Sequence, residues 1–508
     1  MVYFHKKSHA PFLSATVTLL LSALLILYSF SIFNTKVEFD DAYNLQVSQN
    51  IVQKGIYATN GSQFDGTYKL FDPNISTGPT VLLIMALSFE VFGVGVWQYR
   101  AICVLIFMLM VFLAYLYIRR MSHADPRAKY THIYQILLTT VVGVLFAGLA
   151  PYSTYSSTIG EPLAFCFLLA AGLLLDYKKI LAAALMIGLA ILTKTICLLA
   201  VPFFVIAILI QYKTWKMKLF FGITSLTIVA IPTVAFELYR FVSLGDLAAY
   251  KASVKEFLVF FSQAGSGVSD TTPTVLSITS ERLSYMLYGS PLTASLPFAA
   301  ALLLLCSYSL HRLVSTQKQH INRFLQHPIV KEPVYLYLTG TVLLWFGWWF
   351  IISENGWPRH ALPALLIIIT MIASIINNSI ANSHFSPPRL VMILLIVIVS
   401  LSYALIAKMQ PYANDLASQR AEISQVSKVF GNHQYYHLGW WQNPEVQFIL
   451  NRASRPYIPG PHTSDQYILM STMHEKLAKE SYDNDRALCD SFQIISPTYR
   501  LCITRRNQ

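Results

Sequence analysis

The chain has 508 residues, of which 55% are hydrophobic and only 12% are charged, and its mean hydropathy is +0.50. Soluble domains have about a quarter of their residues charged, so this composition excludes an ordinary soluble protein and predicts an all-α polytopic membrane protein. The formal net charge of +12 does not indicate a nucleic-acid partner, because basic loops retained in the cytoplasm account for it.

The first apolar segment runs from about residue 11 to residue 33. It is too long for the apolar part of a signal peptide and lacks a small-residue cleavage site, so we interpret it as an uncleaved span with a cytoplasmic N-terminus. Basic clusters then mark the cytoplasmic loops. These clusters are Lys6–Lys7, Arg119–Arg120, Lys178–Lys179, 213–218, 312–331 and the weaker Arg389.

The sidedness of these loops constrains the segments between them. Segments 79–95 and 97–118 both precede Arg119, and two full crossings would place that arginine outside, so we interpret 79–95 as a re-entrant or interfacial helix. The same reasoning makes 180–193 and 195–210 a tight helical hairpin. Further spans are predicted near 133–150, 161–176, 218–242, 291–311, 334–353, 360–380 and 389–408. About 11 to 13 transmembrane helices result, with the C-terminus outside.

The first outer loop, 34–78, contains the stretch VEFDDAYNLQ. Residues 40–53 have the pattern of a helix lying along the membrane surface. Asp40 and Asp41 stand at its start, where acidic residues often serve only as helix caps. The alternative is that they form a catalytic site, and the spacing alone leaves both interpretations open. A second outer loop, 243–290, is polar.

Residues 410–508 form a polar region predicted to be a small extracytoplasmic α/β domain, which leaves 1–409 as the transmembrane domain. Within it, HQYYHLGWWQNPEVQFIL predicts a strand, a turn and a helix that begins at Asn443-Pro444. Cys489 and Cys502 could form a disulfide if this region is extracytoplasmic, or could remain reduced thiols.

Four other residues combine charge with an outer position. Glu161 begins a span, where a carboxylate also suits the helix dipole. Lys194 interrupts an apolar stretch at the predicted hairpin tip, where it could bind an anion or snorkel to the interface. Arg359 and His360 occupy a short outer loop and could clamp a phosphate or anchor the chain at the membrane surface.

Together these residues indicate a reaction. A sugar transfer from a lipid phosphate needs a carboxylate base that deprotonates the acceptor and cations that stabilise the departing phosphate. Both types of group are predicted, independently, on the same outer face.

The order of motifs resembles a known family. A D-[DE]-x-Y helix is followed by W-x-x-R after a short apolar helix, then by an acidic residue at a span start, by G-L-A-x-L-T-K and by R-[YH]-x-L-P. This order resembles the polytopic GT-C glycosyltransferases, in particular the superfamily of dolichyl-phosphate-mannose protein mannosyltransferases and lipid A aminoarabinose transferases, including its bacterial members. The resemblance covers about residues 10–410, and beyond them it extends only to the position and size of the tail.

The resemblance implies a GT-C fold and a role for each matching residue. Asp40 matches the catalytic aspartate, which would act as the general base, and Asp41 and Glu161 would orient the acceptor or tune that base. Lys194 and Arg359 would bind the donor phosphate. His360 stands where the family has tyrosine and would assist them.

Two further positions extend the comparison. Arg100 matches an arginine expected to be structural. Residues 72–76 depart from the family, because many relatives have a lysine or histidine followed by prolines there. The donor-phosphate contacts are therefore not a simple copy of the family pattern, and the sugar stays open.

The resemblance implies an inverting hexosyl- or pentosyltransferase in a bacterial inner membrane, with its active site and C-terminal domain in the periplasm. Its donor would be a polyprenyl-phosphate sugar and its acceptor a glycan, a lipid or a protein. No cofactor is required, although Glu38, Asp40 and Asp41 could bind a divalent cation; no second ligand cluster is evident.

Two alternatives remain. A lipid or sugar transporter would be expected to show internal repeats and ionisable residues near the bilayer midplane, whereas here they gather at one face. A polyprenyl-linked glycan ligase or polymerase would be expected to concentrate arginines in a large outer loop. Loop 243–290 carries only Lys251, Lys255 and Arg282 as basic residues.

Overall fold

The computed structural model describes most of the chain between residues 28 and 504, and a few residues between 18 and 26. The longer gaps in that range are 61–67, 122–130, 150–156, 263–331, 354–357, 382–386, 410–413, 438–442 and 457–465, and the shorter ones are 76, 432, 434, 453–454, 478 and 488. The predicted span 291–311, the basic cluster 312–331, most of the first span and loop 243–290 beyond residue 262 lie outside the described residues.

Helices make up the first four-fifths of the described chain, with one small hairpin between β1 (Ala58–Thr59) and β2 (Lys69–Leu70). In chain order the helices are α1 (Phe39–Lys54), α2 (Pro79–Phe92), α3 (Val96–Arg120), α4 (Thr131–Leu149), α5 (Glu161–Asp176), α6 (Ile180–Thr193), α7 (Val201–Gln211), α8 (Trp215–Leu244), α9 (Leu247–Ser262), α10 (Pro333–Gly347), α11 (Pro358–Ala381) and α12 (Pro387–Met409).

Within the described residues, four helices are long and apolar enough to cross a membrane: α3, α8, α11, and α10 with its short π-helical extension. Shorter apolar helices include α2, α4, α6, α7 and α12. The polytopic α-helical membrane architecture predicted from composition is therefore confirmed. The larger predicted number of spans stays a prediction.

Small residues bring the helices of this bundle close together. A Cβ atom at Gly188 of α6 would lie 2.5 Å from the carbonyl oxygen of Val229 on α8, and Gly172 of α5 faces Tyr337 and Leu338 of α10. Lipid tails are as apolar as the helix faces, so close backbone packing at small residues is a main source of helix association in a bilayer.

The predicted hairpin at 180–210 differs from the observed structure. Lys194 has an extended backbone and is followed by a 3-10 helix, Thr195–Ala200, before α7 begins. α6 packs mainly on α5 and α8, whereas α7 packs mainly on α10 and α8. The two helices therefore separate after Lys194, because α6 packs on α5 whereas α7 packs on α10.

The ends of α3 and α5 define two sides of the bundle. At their C-terminal ends, Arg120 of α3 forms an ion pair with Asp176 of α5. At their N-terminal ends lie Arg100 and Glu161. The residues predicted to bind substrate therefore belong to the end opposite the basic Arg119–Arg120 pair.

The C-terminal region is a small α/β domain, as predicted. Its strands form one sheet in the order β4-β3-β5-β7-β6, in which β3 is parallel to both neighbours and β7 is antiparallel to both. The elements are α13 (Asp415–Phe430), β3 (Tyr435–His437), α14 (Asn443–Leu450), β4 (Arg455–Pro456), β5 (Gln466–Ser471), α15 (Thr472–Leu477), α16 (Lys479–Ala487), β6 (Ser491–Ile494) and β7 (Tyr499–Thr504). Cys489 and Cys502 form a disulfide that ties the chain after α16 to β7.

Candidate active site

Helix α1 is the centre of the candidate site. It runs from Phe39 to Lys54, close to the predicted 40–53, and Gly55 ends it in the left-handed conformation with φ +70°. Every residue from 41 to 50 is buried, because α1 packs between α2 of the bundle and α14 of the C-terminal domain. It is thus an interior helix rather than one exposed along a membrane surface.

Asp40 is the accessible carboxylate of this helix. Its side chain is 43% exposed, and Oδ2 accepts a hydrogen bond of 2.7 Å from Nη1 of Arg359, whose side chain is 19% exposed. Asp40 occupies the first turn of α1 and Arg359 the first turn of α11. The carboxylate is therefore bound to a cation from a distant part of the sequence and remains open to solvent.

Asp41 points the other way, into the bundle. Its carboxylate accepts hydrogen bonds from the Thr158 N–H at 2.7 Å and from the Thr158 hydroxyl at 3.4 Å, and lies 3.8 Å from Arg100. Burial raises the pKa of Asp41 to about 6, although the Arg100 guanidinium opposes the rise. Asp41 is fully enclosed, so it can influence Asp40 through the helix but cannot touch an acceptor in this arrangement.

Arg100 is also fully buried and has a structural position, as predicted. Its Nη2 donates a hydrogen bond of 2.8 Å to the carbonyl oxygen of Lys36, in the non-helical segment that leads into α1. It therefore fixes both the approach to α1 and the buried Asp41.

Glu161 and Lys194 form a second, more enclosed ion pair. Lys194 Nζ lies 3.1 Å from Glu161 Oε1, and the side chains are 12% and 2% exposed. Glu161 begins α5, where the helix dipole favours a negative charge. It also lies within electrostatic range of Arg359 and His360. The predicted carboxylates and cations are therefore gathered at one end of the bundle.

The beginning of α11 is fixed by an aromatic side chain. Trp345 Nε1 of α10 donates a hydrogen bond of 2.7 Å to the backbone carbonyl of His360. The His360 ring lies 6.2 Å from that of Trp348. The hydrogen bond from Trp345 holds the first turn of α11, which carries Arg359 and His360, at this end of the bundle.

Two glycines let other segments approach the end of α6, where Lys194 lies. The Gly78 N–H donates a hydrogen bond of 3.0 Å to the Thr193 carbonyl. A Cβ atom at Gly78 would lie 1.9 Å from the carbonyl oxygen of Leu192, and one at Gly160 would lie 2.8 Å from that of Thr193. In both cases the atom in the way is a backbone carbonyl oxygen, so a side chain at either position would force the backbone to move.

We expect Gly78→Ala to destabilise the protein by about 1–3 kcal/mol, because the added methyl group forces the loop that carries Gly78 away from α6. Donor binding should weaken as Lys194 shifts. Thermal unfolding in detergent measures the first effect, with Gly222→Ala as a control because that glycine has room for a methyl group. Equal unfolding temperatures for the two variants would contradict the prediction.

Sequence reasoning missed Asn44 as a central residue of the site. Its Nδ2 donates hydrogen bonds to the hydroxyl of Thr77 at 3.3 Å and to that of Thr158 at 3.2 Å, and so joins α1 to the segments before α2 and α5. On the same side of the helix, Ser48 donates to the Leu82 carbonyl at 2.8 Å. Their spacing of four residues places both on one face of the helix and is a signal that the sequence contains. The prediction of a helix along the membrane surface gave this face no role.

Asp72 explains the departure at 72–76. It is buried and accepts hydrogen bonds from the Tyr43 hydroxyl at 2.5 Å, the Thr59 hydroxyl at 2.8 Å and the Asn74 N–H at 3.0 Å. These bonds fasten the first outer loop to α1. An anionic acceptor in this position cannot replace a cationic phosphate ligand.

The described part of the chain contains no group of three or more histidine, cysteine, aspartate or glutamate residues that could hold a metal ion. The carboxylates considered for a divalent cation point in different directions. Glu38 pairs with Lys36 at 3.5 Å, Asp40 with Arg359, and Asp41 with Thr158.

The C-terminal domain adds a buried carboxyl group, Glu445 of α14, within electrostatic range of Lys36, Glu38 and Asp41. Burial raises the pKa of Glu445 to about 8; the carboxylates of Glu38 and Asp41 add to this rise, and Lys36 opposes it. Among the described residues, Glu445 Oε2 has no hydrogen-bond partner. The group is therefore mainly protonated at neutral pH.

We expect this group to make stability depend on pH. Its pKa is raised on folding, so the folded state holds an extra proton, and stability falls as the pH rises from about 4.5 to about 8. Glu445→Gln removes this dependence. Thermal unfolding between pH 5 and pH 9 measures it: the advantage of Glu445→Gln over wild type should grow with pH and level off above about 8. If the unfolding temperatures of the two proteins change with pH in parallel, Glu445 makes no pH-dependent contribution to stability and the prediction is wrong.

Solved structures provide the comparison. The chain matches ArnT from Cupriavidus metallidurans in the apo state with a TM-score of 0.58 at 12% identity, over 96% of this chain and 97% of that chain. For the same protein bound to undecaprenyl phosphate the TM-score is 0.56 at 13% identity, with the same coverage. AglB from Archaeoglobus fulgidus, an archaeal oligosaccharyltransferase in complex with an inhibitory peptide and a dolichol-phosphate, matches with a TM-score of 0.46 at 11% identity, over 86% of this chain and 64% of that chain.

No protein-family model and no curated protein sequence matches the chain. The similarity thus lies in the three-dimensional arrangement, which extends over nearly the whole length of both chains. The chain therefore has the fold of ArnT, in agreement with the fold that the order of its motifs predicted.

Proposed function

We propose that this protein is a membrane glycosyltransferase that moves a sugar from a polyprenyl-phosphate-linked donor to an acceptor. The observation that carries the proposal is the pair of ion contacts, Asp40–Arg359 and Glu161–Lys194, at one end of a bundle with the ArnT fold. The binding of undecaprenyl phosphate by ArnT supports the donor class.

Asp40 would act as the general base. Its exposed carboxylate can take the proton of an acceptor hydroxyl or amine while that atom attacks the anomeric carbon of the sugar. The bond between that carbon and the phosphate oxygen breaks on the opposite face, so the configuration inverts. The leaving lipid phosphate keeps the electron pair.

Arg359 and Lys194 would stabilise the charge that develops on the leaving phosphate. A guanidinium has five N–H donors, so Arg359 can bind Asp40 through Nη1 and present other donors to a phosphate. Lys194 supplies a compact charge at a nearly dry position, where electrostatic stabilisation is strong. His360 is adjacent, and Glu161 holds the ammonium in place.

The disulfide supports an outer location for the C-terminal domain. Disulfides persist in oxidising compartments, such as the bacterial periplasm, and Cys489–Cys502 lies within this domain. We propose that residues 410–508 and the site face the periplasm of a bacterial cell, and that residues 1–409 form the catalytic domain in its inner membrane. The acceptor is a glycan, a lipid or a protein.

Mass spectrometry of envelope glycolipids, glycoproteins and lipid-linked intermediates tests the proposal. A deletion strain should lose one sugar-sized mass increment and accumulate the polyprenyl-phosphate sugar, and wild-type protein should restore both. Purified protein should release polyprenyl monophosphate from that donor. Release of a diphosphate would favour the ligase or polymerase alternative, and donor transport without any product would favour a transporter.

A further inference from the structure

The C-terminal domain contacts α1 through uncharged amide side chains. Gln46 Nε2 donates a hydrogen bond of 3.3 Å to Gln447 Oε1, and Gln53 Nε2 donates one of 3.3 Å to Asn451 Oδ1. Gln49 also donates to Asn451. The donors repeat every three or four residues along α1, so they lie on one face of that helix.

An aromatic contact supports the same interface. The Phe448 ring of α14 lies 6.0 Å from the Phe89 ring of α2 and 5.7 Å from the Tyr99 ring of α3. The domain thus contacts both the helix that carries Asp40 and the bundle beneath it. Its position relative to the site is set by packing as well as by hydrogen bonds.

Gln419 of α13 contacts the chain three residues before Asp40. Its Oε1 accepts a hydrogen bond of 2.8 Å from the Val37 N–H, and its Nε2 donates one of 2.9 Å to the Val37 carbonyl. Val37 is buried in the non-helical segment before α1. Since buried backbone groups require partners, this single side chain satisfies both polar groups of the residue.

The segment before α1 is therefore held from two sides. Arg100 binds the Lys36 carbonyl from within the bundle, and Gln419 binds Val37 from the C-terminal domain. α1 begins two residues after Val37, and Asp40 lies in its first turn. The contacts that hold Val37 in place therefore also hold the first turn of α1, and with it the backbone that carries the Asp40 carboxylate.

We propose that Gln419 is a positioning residue, through which the C-terminal domain holds the Asp40 carboxylate in the position that the transfer reaction requires. The inference rests on the proposed function and adds a role for the C-terminal domain. Gln419 binds backbone three residues from Asp40, so it acts through α1 rather than on substrate. A displacement of about 1 Å in a reacting group can cost about 100-fold in rate.

Gln419→Met tests this proposal, because methionine keeps the length of the side chain but cannot make either hydrogen bond. The turnover number kcat with a polyprenyl-phosphate sugar should fall about tenfold, while KM for that donor changes by less than about twofold, because the Glu161–Lys194 pair is untouched. Gln425→Met is the matched control, since Gln425 is exposed on the same helix. It should behave as wild type.

Hydrogen exchange supplies a readout that does not depend on transfer. Gln419→Met should speed amide exchange over residues 37–45 and leave exchange in α5 unchanged. Either wild-type kcat or wild-type exchange in Gln419→Met would overturn the proposal. So would a parallel loss of kcat, donor affinity and overall protection, because that pattern indicates general destabilisation.

The two proposals can fail separately. If wild-type protein transfers no sugar from any donor, the proposed function fails, and the exchange experiment still decides whether Gln419 fixes the start of α1. If wild type is active but Gln419→Met is equally active, the function stands and the positioning role is rejected.

Discussion

Replacing Asp40 with asparagine should lower the turnover of the protein by about 100-fold or more, the usual contribution of a general base. Asparagine has almost the same shape and can still accept a hydrogen bond from Arg359, but it cannot take a proton from the acceptor. The side chain is partly exposed and lies at the beginning of α1, so the fold should persist. Single-turnover rates with purified protein and a polyprenyl-phosphate sugar measure the effect.

Two variants control for indirect effects of this change. Asp40→Glu retains a carboxylate and should recover part of the lost rate, whereas Glu90→Gln alters an exposed carboxylate on α2 and should leave the rate unchanged. Turnover near that of wild type in Asp40→Asn would mean that Asp40 is only a first-turn residue of α1. The transporter interpretation would then become the stronger one.

Replacing Lys194 with methionine should affect stability and activity together. Glu161 is 2% exposed, so loss of the ammonium leaves its charge in the protein interior without its ion-pair partner, at a cost of about 3–5 kcal/mol. The donor phosphate would also lose one of its cations. Thermal unfolding in detergent and the affinity for a polyprenyl phosphate measure the two effects separately.

The double variant Lys194→Met/Glu161→Gln separates these causes. Neutral glutamine removes that buried charge, so stability should return towards that of wild type, because replacing a whole buried pair is often nearly neutral. Donor affinity and turnover should stay low. Recovery of turnover in the double variant would show that Lys194 serves the fold alone and would remove it from the proposed phosphate site.

Much of this molecule was predictable because apolar length and charge are properties of the sequence. Runs of apolar residues bounded by basic clusters predicted a polytopic membrane protein, and the order of short motifs predicted the GT-C fold. The helix predicted at 40–53 begins and ends within one residue of α1, since the acidic start and Gly55 are local signals. The residues of the candidate site were also predicted, although their roles stay proposals.

The partners of those residues were not predictable. Nothing in the spacing pairs Asp40 with Arg359 across more than 300 positions, or Glu161 with Lys194, since α5, α6 and α11 meet only when the bundle packs. The divergence of α6 and α7 arises in the same way. A tight hairpin satisfies the sequence pattern, but in the folded bundle α6 packs mainly on α5 and α8, and α7 packs mainly on α10 and α8.

The sequence by itself therefore determined the membrane class, the position of α1 and which charged residues belong to one end of the bundle, because these depend on composition and local order. Tertiary structure alone decided that α1 is an interior helix, that Asp41 faces Arg100 while Asp40 faces Arg359, and that Gln419 fixes the approach to α1. The physical reason is that a polar face on a helix shows only that partners are needed. Whether water or a folded domain supplies them depends on what packs against that face.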